Sequence, residues 1–350
     1  MKTGIIGLPQ TGKTSLFSML TGADVQLGRR EDRLGVAVVP DRRLDQLADL
    51  YHPRKLTHAS IELTEAAALT PESLRDGSGI AGLRGVDALA QVIRVFDRLQ
   101  PEPPVAEVRN LEFDMIISDL GQVEKRLERV AKDLKKQRTP ALLEEGAILE
   151  KMKQHLEREQ PLRTLPLSEA ESKSTRGFQF LSQKPILYIL NLGEAEAGAM
   201  ARAPERHGFG EALAAPNTGA TAMCGKIEAE IAGLPPEDAA EFLAGYGMTE
   251  TGVARVAQAI YSLLGLVSFF TAGEDECRAW TIPRGTPAAE AAGVIHTDLS
   301  KHFIRAEVIG WKELLELGSE SAARQQGKLR LEGKEYVVQD GEVMHIRHSG

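Results

Sequence analysis

At 350 residues the chain exceeds one typical domain, so two or three units are expected. Its 42% hydrophobic and 26% charged content supports packed cores under an ordinary surface, and a formal net charge of −8 argues against a protein coated in nucleic acid while leaving room for a local basic face. Cys224 and Cys277 lie far apart with no Cys-x-x-Cys pair, which points to buried thiols in a reducing compartment and away from a disulfide or zinc site.

The start, Met-Lys-Thr-Gly-Ile-Ile-Gly, enters a strand directly, without the long apolar run of a signal peptide. No stretch approaches the roughly eighteen uncharged apolar residues of a membrane span, so no membrane partner and a cytoplasmic location are expected. The eight histidines form no His-Glu-x-x-His or comparable cluster.

In chain order, residues 3–7 read as a short apolar strand, followed by a glycine-bearing loop and a helix from Lys13 to Leu20. Gly35 to Val39 reads as a strand, and Asp41 to Leu50 as a helix with Leu44, Leu47 and Leu50 on one side. His58 to Leu63 alternates like a strand. Ala90 to Phe96 and Pro185 to Leu190 are apolar runs suited to buried parallel strands. Strands alternating with helices predict a doubly wound α/β domain with a mostly parallel sheet.

Between those last two strands the period changes. Ile116, Leu120, Val123, Leu127, Val130 and Leu134 are spaced by four and three, a heptad seam. Thr139-Pro140 interrupts it, and Leu142, Leu149, Met152 and Leu156 resume it, which predicts an inserted antiparallel coiled-coil hairpin. Lys125, Arg129, Lys132 and Lys136 form a basic stripe on its first helix, either a solvated face or a surface for RNA phosphate or an acidic partner. From about Gly273 the chain becomes β-rich. Strands are expected at residues 276–282, 303–309, 328–331, 335–338 and 343–347, with helices at 287–292 and 311–317, a small α+β module. The expected division is therefore 1–100 with 179–272 for the α/β domain, 101–178 for the hairpin and 273–350 for the terminal module.

Gly7-Leu-Pro-Gln-Thr-Gly12-Lys13-Thr14 fits Gly-x-x-x-x-Gly-Lys-[Ser/Thr] in full, in the required setting of strand, loop and helix. The glycines let backbone N–H groups curl around phosphate oxygens, and the following helix turns its positive end toward them. Lys13 is expected to bridge the β- and γ-phosphates and Thr14 to ligate Mg²⁺. Pro9, Gln10, Thr11, Gly12 and Ser15 complete the expected cradle, and Lys13 and Thr14 are the candidate catalytic residues. A second nucleotide feature, Asn191-Leu192-Gly193-Glu194, ends the last apolar strand where GTPases place Asn-Lys-x-Asp. With leucine at the lysine position and the longer carboxylate of Glu194, strict guanine selection is not expected.

These motifs, taken in order, resemble the YchF family of Obg-type P-loop NTPases along nearly the whole chain. The resemblance is carried by Gly-Leu-Pro-x-x-Gly-Lys, Asn-x-x-Glu, Cys224-Gly-Lys-Ile-Glu-Ala-Glu-Ile231, Phe269-Phe-Thr-Ala-Gly273, Val294-Ile-His-Thr-Asp298, Phe303-Ile-Arg-Ala-Glu-Val308 and Asp340-Gly-Glu-Val343. It implies that the terminal module is a TGS domain, a β-grasp fold, and that the hairpin is the family's coiled-coil insertion. It implies ATP binding in preference to or alongside GTP, with Mg²⁺, together with slow hydrolysis and association with ribosomes, through the hairpin and TGS domain. It also places Leu192, Met223, Cys224 and Gly225 beside Asn191 and Glu194 at the base.

The chain departs from that family at its switches. The Mg²⁺-linked Asp-x-Ala-Gly motif aligns with Glu65-Ala-Ala-Ala68-Leu69, leaving Glu65 to hold Mg²⁺ through water and Ala68 where a glycine N–H approaches the γ-phosphate. The first switch, Leu27 to Arg33, has no threonine, although Arg29 and Arg30 could meet phosphate. The segment after Leu69 is shortened but keeps Gly77-Ser-Gly79. Two functions compete on this reading: a slow NTPase whose nucleotide state controls docking to a ribosomal partner, and a nucleotide-binding scaffold that has largely lost hydrolysis.

Overall fold

A computed structural model describes residues 1–24, 32–66, 81–98 and 102–349. The chain forms two compact units. One comprises Met1–Gly35 with Glu62–Leu263, and the other Val36–Ile61 with Leu264–Gly350.

In the first unit, β1 (Lys2–Ile6) leads through the glycine-bearing loop into α1 (Lys13–Thr21). β2 (Arg33–Val39) and β4 (Ala59–Glu65) both run across the division between units. Within the unit the end of β4 pairs parallel with β1, and β1 pairs parallel with β5 (Ala88–Arg94). β6 (Ile186–Asn191) and β7 (Thr218–Met223) extend the parallel array. The expected parallel sheet is present. Its strands are apolar on both faces because the crossover helices cover both; β6 is buried along its whole length. The core on one face gathers Ile6, Leu89, Ile93, Tyr188 and Leu190 against Leu111, Met115 and Phe209.

The hairpin is α3 (Pro104–Lys136, 33 residues) and α4 (Pro140–Leu156). Proline opens each helix, where its missing N–H costs nothing. The Thr139 hydroxyl accepts the Leu142 N–H and so caps α4. Ile116, Val123, Val130, Leu149, Met152 and Leu156 form a buried seam, with Leu120, Leu127 and Leu134 partly buried beside it. Arg126 grips Glu145 through two 2.7 Å hydrogen bonds, pinning one helix to the other. At the root, the buried Asp119 carboxylate accepts the backbone N–H groups of Leu181 and Ser182. The next helix, α5 (Glu169–Thr175), starts in a capping box between Ser168 and Glu171.

In the second unit, α2 (Arg42–Tyr51) is capped by Asp41, and β3 (Lys55–Thr57) follows it. The terminal module supplies β8 (Leu266–Thr271), β9 (Glu276–Pro283), β10 (Phe303–Gly310), β11 (Arg330–Glu332) and β12 (Glu342–His348). The sheet order is β11-β10-β12-β8-β9-β3, with β3 parallel to β9. A core of Phe269, Ile282, Ala291, Val308 and Met344 lies against the helix Ala288–Ile295. Residues 335–338, expected as a strand, form only an isolated bridge between Val337 and Pro287, in which the Ala288 N–H donates to the Tyr336 carbonyl and the Val338 N–H to that of Thr286.

Candidate nucleotide site

The loop between β1 and α1 is shaped by its glycines. A Cβ on Gly7 would sit 2.7 Å from the Val92 carbonyl oxygen, and one on Gly12 would overlap the Asn191 side-chain amide. Gly12 also holds φ 92°, a left-handed conformation that costs other residues strain. Thr11 is buried and donates its hydroxyl to the Leu8 carbonyl over 3.1 Å, so it braces the loop from inside. Pro9, Gln10 and Ser15 face outward.

Lys13 and Thr14 begin α1 and converge on the end of β4. The Thr14 hydroxyl donates to Glu65 Oε1 over 2.6 Å. The Lys13 ammonium donates to the Ala66 carbonyl and lies 3.7 Å from the same carboxylate. Arg33 reaches the other carboxylate oxygen over 3.3 Å and lies over the Phe17 ring. Burial pushes the Lys13 ammonium below its usual range, while Glu65 pulls it back up. A buried cation answered mainly by one carboxylate is well suited to exchanging its partner for phosphate oxygens.

The Asn191 amide is hydrogen-bonded within the protein. Its Nδ2 donates to the Thr11 carbonyl and its Oδ1 accepts the Gly225 N–H, each over 3.0 Å. It therefore ties the phosphate loop to the loop after β7. The Leu192 N–H bonds the Met223 carbonyl over 2.7 Å, a second tie. Leu192, Met223 and Cys224 are buried. Glu194 is exposed and pairs with Lys226 over 2.8 Å. Around them lies a cavity of about 460 Å³, lined by Gly12, Ser15, Asn191, Glu194 and Gly225 together with Phe96, Asp97 and Lys226.

Arg33, Phe96, Asp97 and Lys226 are thus additions to the residues expected from sequence. Lys226 stands inside the quoted Cys224–Ile231 motif and Arg33 ends the quoted first switch, whereas Phe96 and Asp97 carry no local signal of a site. The switch residues Ala68, Leu69, Arg29, Arg30 and Gly77 to Gly79 lie outside the described residues.

The donor set fits Mg²⁺. Thr14 and Glu65 supply a hydroxyl and a carboxylate, hard oxygen donors, and Mg²⁺ takes only one or two protein ligands alongside phosphate and water. Among the described residues no group of three or more His, Cys, Asp or Glu side chains could hold a metal alone. No described helix is long and apolar enough to cross a membrane.

A parallel sheet whose first strand feeds a glycine loop, Gly-Lys-Thr and a helix defines a P-loop nucleotide-binding fold. Residues 266–349 match the model of the YchF-GTPase_C family, described as a protein of unknown function. The chain is 37% identical over 362 residues to the ribosome-binding ATPase YchF of Bacillus subtilis, covering 99% of each. It is 36% identical over 360 residues to that of Escherichia coli O157:H7, covering 99% of this chain and 98% of that one. The solved Schizosaccharomyces pombe YchF GTPase superposes with a TM-score of 0.81 at 27% identity, over 99% of this chain and 97% of that one. The chain belongs to the YchF family.

Proposed function

We propose that the protein binds ATP, GTP or both at the Pro9–Ser15 loop, hydrolyses the β–γ bond slowly, and associates with the ribosome in the cytoplasm. The observation that carries this reading is the convergence of Lys13 and Thr14 on Glu65 at the mouth of the glycine loop. Lys13 trades the Ala66 carbonyl for β- and γ-phosphate oxygens, and α1 directs its N-terminal N–H groups to the same place. Thr14 and Glu65 hold Mg²⁺, which neutralises phosphate charge when bound. Asn191 keeps the base loop in register with the cradle, and Glu194 with the backbone of Met223, Cys224 and Gly225 meets the purine.

The ribosomal part of the proposal rests on the names of the relatives and on the hairpin. Lys125, Arg129 and Lys132 are exposed and make no ion pair among the described residues, so their charge is available to RNA phosphate. Reversing these three charges should weaken co-sedimentation with ribosomes and flatten its salt dependence; sedimentation unchanged at every salt concentration would reject this surface. A second reading, a scaffold that binds nucleotide with little hydrolysis, is favoured by Ala68 standing where the family has glycine. Single-turnover hydrolysis with and without ribosomes separates the two.

A further inference from the structure

In open α/β sheets, ligands collect beyond the carboxyl ends of the strands, where the P-loop lies. The first unit also has a cavity of about 460 Å³ at the opposite end, beside the amino ends of β5 and β6. We propose that this cavity is a second phosphate-binding site, taking a small phosphorylated molecule.

Three cations line it, Arg84, Arg176 and Lys184, against one carboxylate, Asp87. Lys184 is only 9% exposed. Its ammonium donates to the carbonyls of Arg84 over 2.9 Å and Val86 over 2.5 Å, which uses two of its three N–H donors. Among the described residues no carboxylate forms an ion pair with it. A buried ammonium held by carbonyls alone keeps its charge at a cost, and an anion beside it offsets that cost. Burial accordingly lowers its proton affinity, with the charges of Asp87 and Asp119 pulling it partly back up.

Arg176 is exposed, and its guanidinium has no partner among the described residues. The two carboxylates nearby are already committed. Asp87 accepts the Lys2 backbone N–H over 2.8 Å. Asp119 accepts from Leu181 and Ser182 and lies 3.9 Å from Arg84. Gln179 and Gln183, whose side chains carry neutral donors, also line the wall. An ammonium and guanidinium forks around one cavity suit the several acceptor oxygens of a phosphate group better than the two of a carboxylate.

Arg84 connects this place to the hairpin. It donates to Gln122 Oε1 over 2.7 Å and to Ser118 Oγ over 3.2 Å, both on α3. An anion here therefore settles next to the contacts that orient the hairpin root.

The test is calorimetric titration of the full chain with inorganic pyrophosphate. Two sites are expected in the unmodified protein and one in Lys13→Ala. Adding Arg176→Glu to Lys13→Ala should weaken the remaining site at least tenfold with an unchanged circular dichroism spectrum, since Arg176 is exposed; Lys184→Met should do the same. A site indifferent to both changes, or no second site at all, overturns the proposal. Displacement of pyrophosphate by a short ribo-oligonucleotide at equal phosphate concentration would assign the site to an RNA backbone and overturn the small-molecule assignment. Two sites persisting in Lys13→Ala, one of them removed by Arg176→Glu, would uphold this cavity and reject the P-loop assignment.

Discussion

The Thr14 hydroxyl and the Glu65 carboxylate, 51 positions apart in the chain, meet over 2.6 Å where α1 starts and β4 ends. Glu65 is nearly buried there, so its charge acts in a medium less polar than water. If the pair holds Mg²⁺, Glu65→Gln should leave metal-free nucleotide affinity in place. The enhancement by Mg²⁺ should shrink about tenfold, a change of roughly 1.4 kcal/mol. Titrations with and without Mg²⁺ measure this directly; an undiminished enhancement would remove Glu65 from the site.

Lys13→Ala separates binding from folding. Losing a charge-assisted contact to phosphate should cost about 1.5–3 kcal/mol, from roughly tenfold to more than a hundredfold in triphosphate affinity. The ligand-free protein should be nearly as stable as before. Burial already penalises the ammonium, and Glu65 keeps Arg33 as a partner. Calorimetry and thermal unfolding read the two effects, and a Tm that collapses with affinity would make Lys13 a structural residue.

Base choice depends on how freely Glu194 can accept from a purine. With Lys226 at 2.8 Å, the carboxylate is partly spoken for, though such an exposed pair contributes only about 0–1 kcal/mol. The protein should bind ATP at least as well as GTP, and Lys226→Met should move the ratio severalfold toward GTP. Direct competition decides this. A hundredfold preference for GTP in the unmodified protein contradicts the reading.

Asn191 offers a test of the bridge between the loops. Asn191→Ala removes bonds to the Thr11 carbonyl and the Gly225 N–H, two backbone groups that would lose partners together. Each costs about 1–3 kcal/mol when left unsatisfied and buried. Denaturant unfolding should register the loss, and nucleotide affinity should fall because the phosphate loop and the loop after β7 lose their tie. An unchanged midpoint would mean that water replaces both bonds.

Near the root of the hairpin, burial pushes the Glu107 carboxyl from 4.5 up to about 7, with Arg98 pulling it down. Because the folded state holds this proton more tightly than the unfolded chain, the contribution to stability is complete below about pH 4.5 and lost as pH rises through about 7. After screening by the solvent that still reaches it, the change should be about 2 kcal/mol. Glu107→Gln should flatten the stability profile across that window. Identical profiles in the two proteins would count against the shift.

Local rules were enough for much of this molecule. The Gly7–Thr14 loop, the heptads of α3 and α4, and the buried strands β5 and β6 are legible because backbone sterics and hydrophobic period act over a few residues. Arg33, Phe96 and Asp97 could not be read that way, since each matters through a neighbour supplied by a distant segment. The same holds for Asn191, expected at the base but spent on Thr11 and Gly225. Asp41–Thr57 shows the limit most clearly. Its helix was visible as a local period, but β3 was not expected from sequence, and only the folded chain places Arg43 2.8 Å from Asp340 and pairs β3 with β9. Period and propensity determine which face of an element must be buried; which partner buries it is decided by long-range pairing, whose energy no short window of sequence contains.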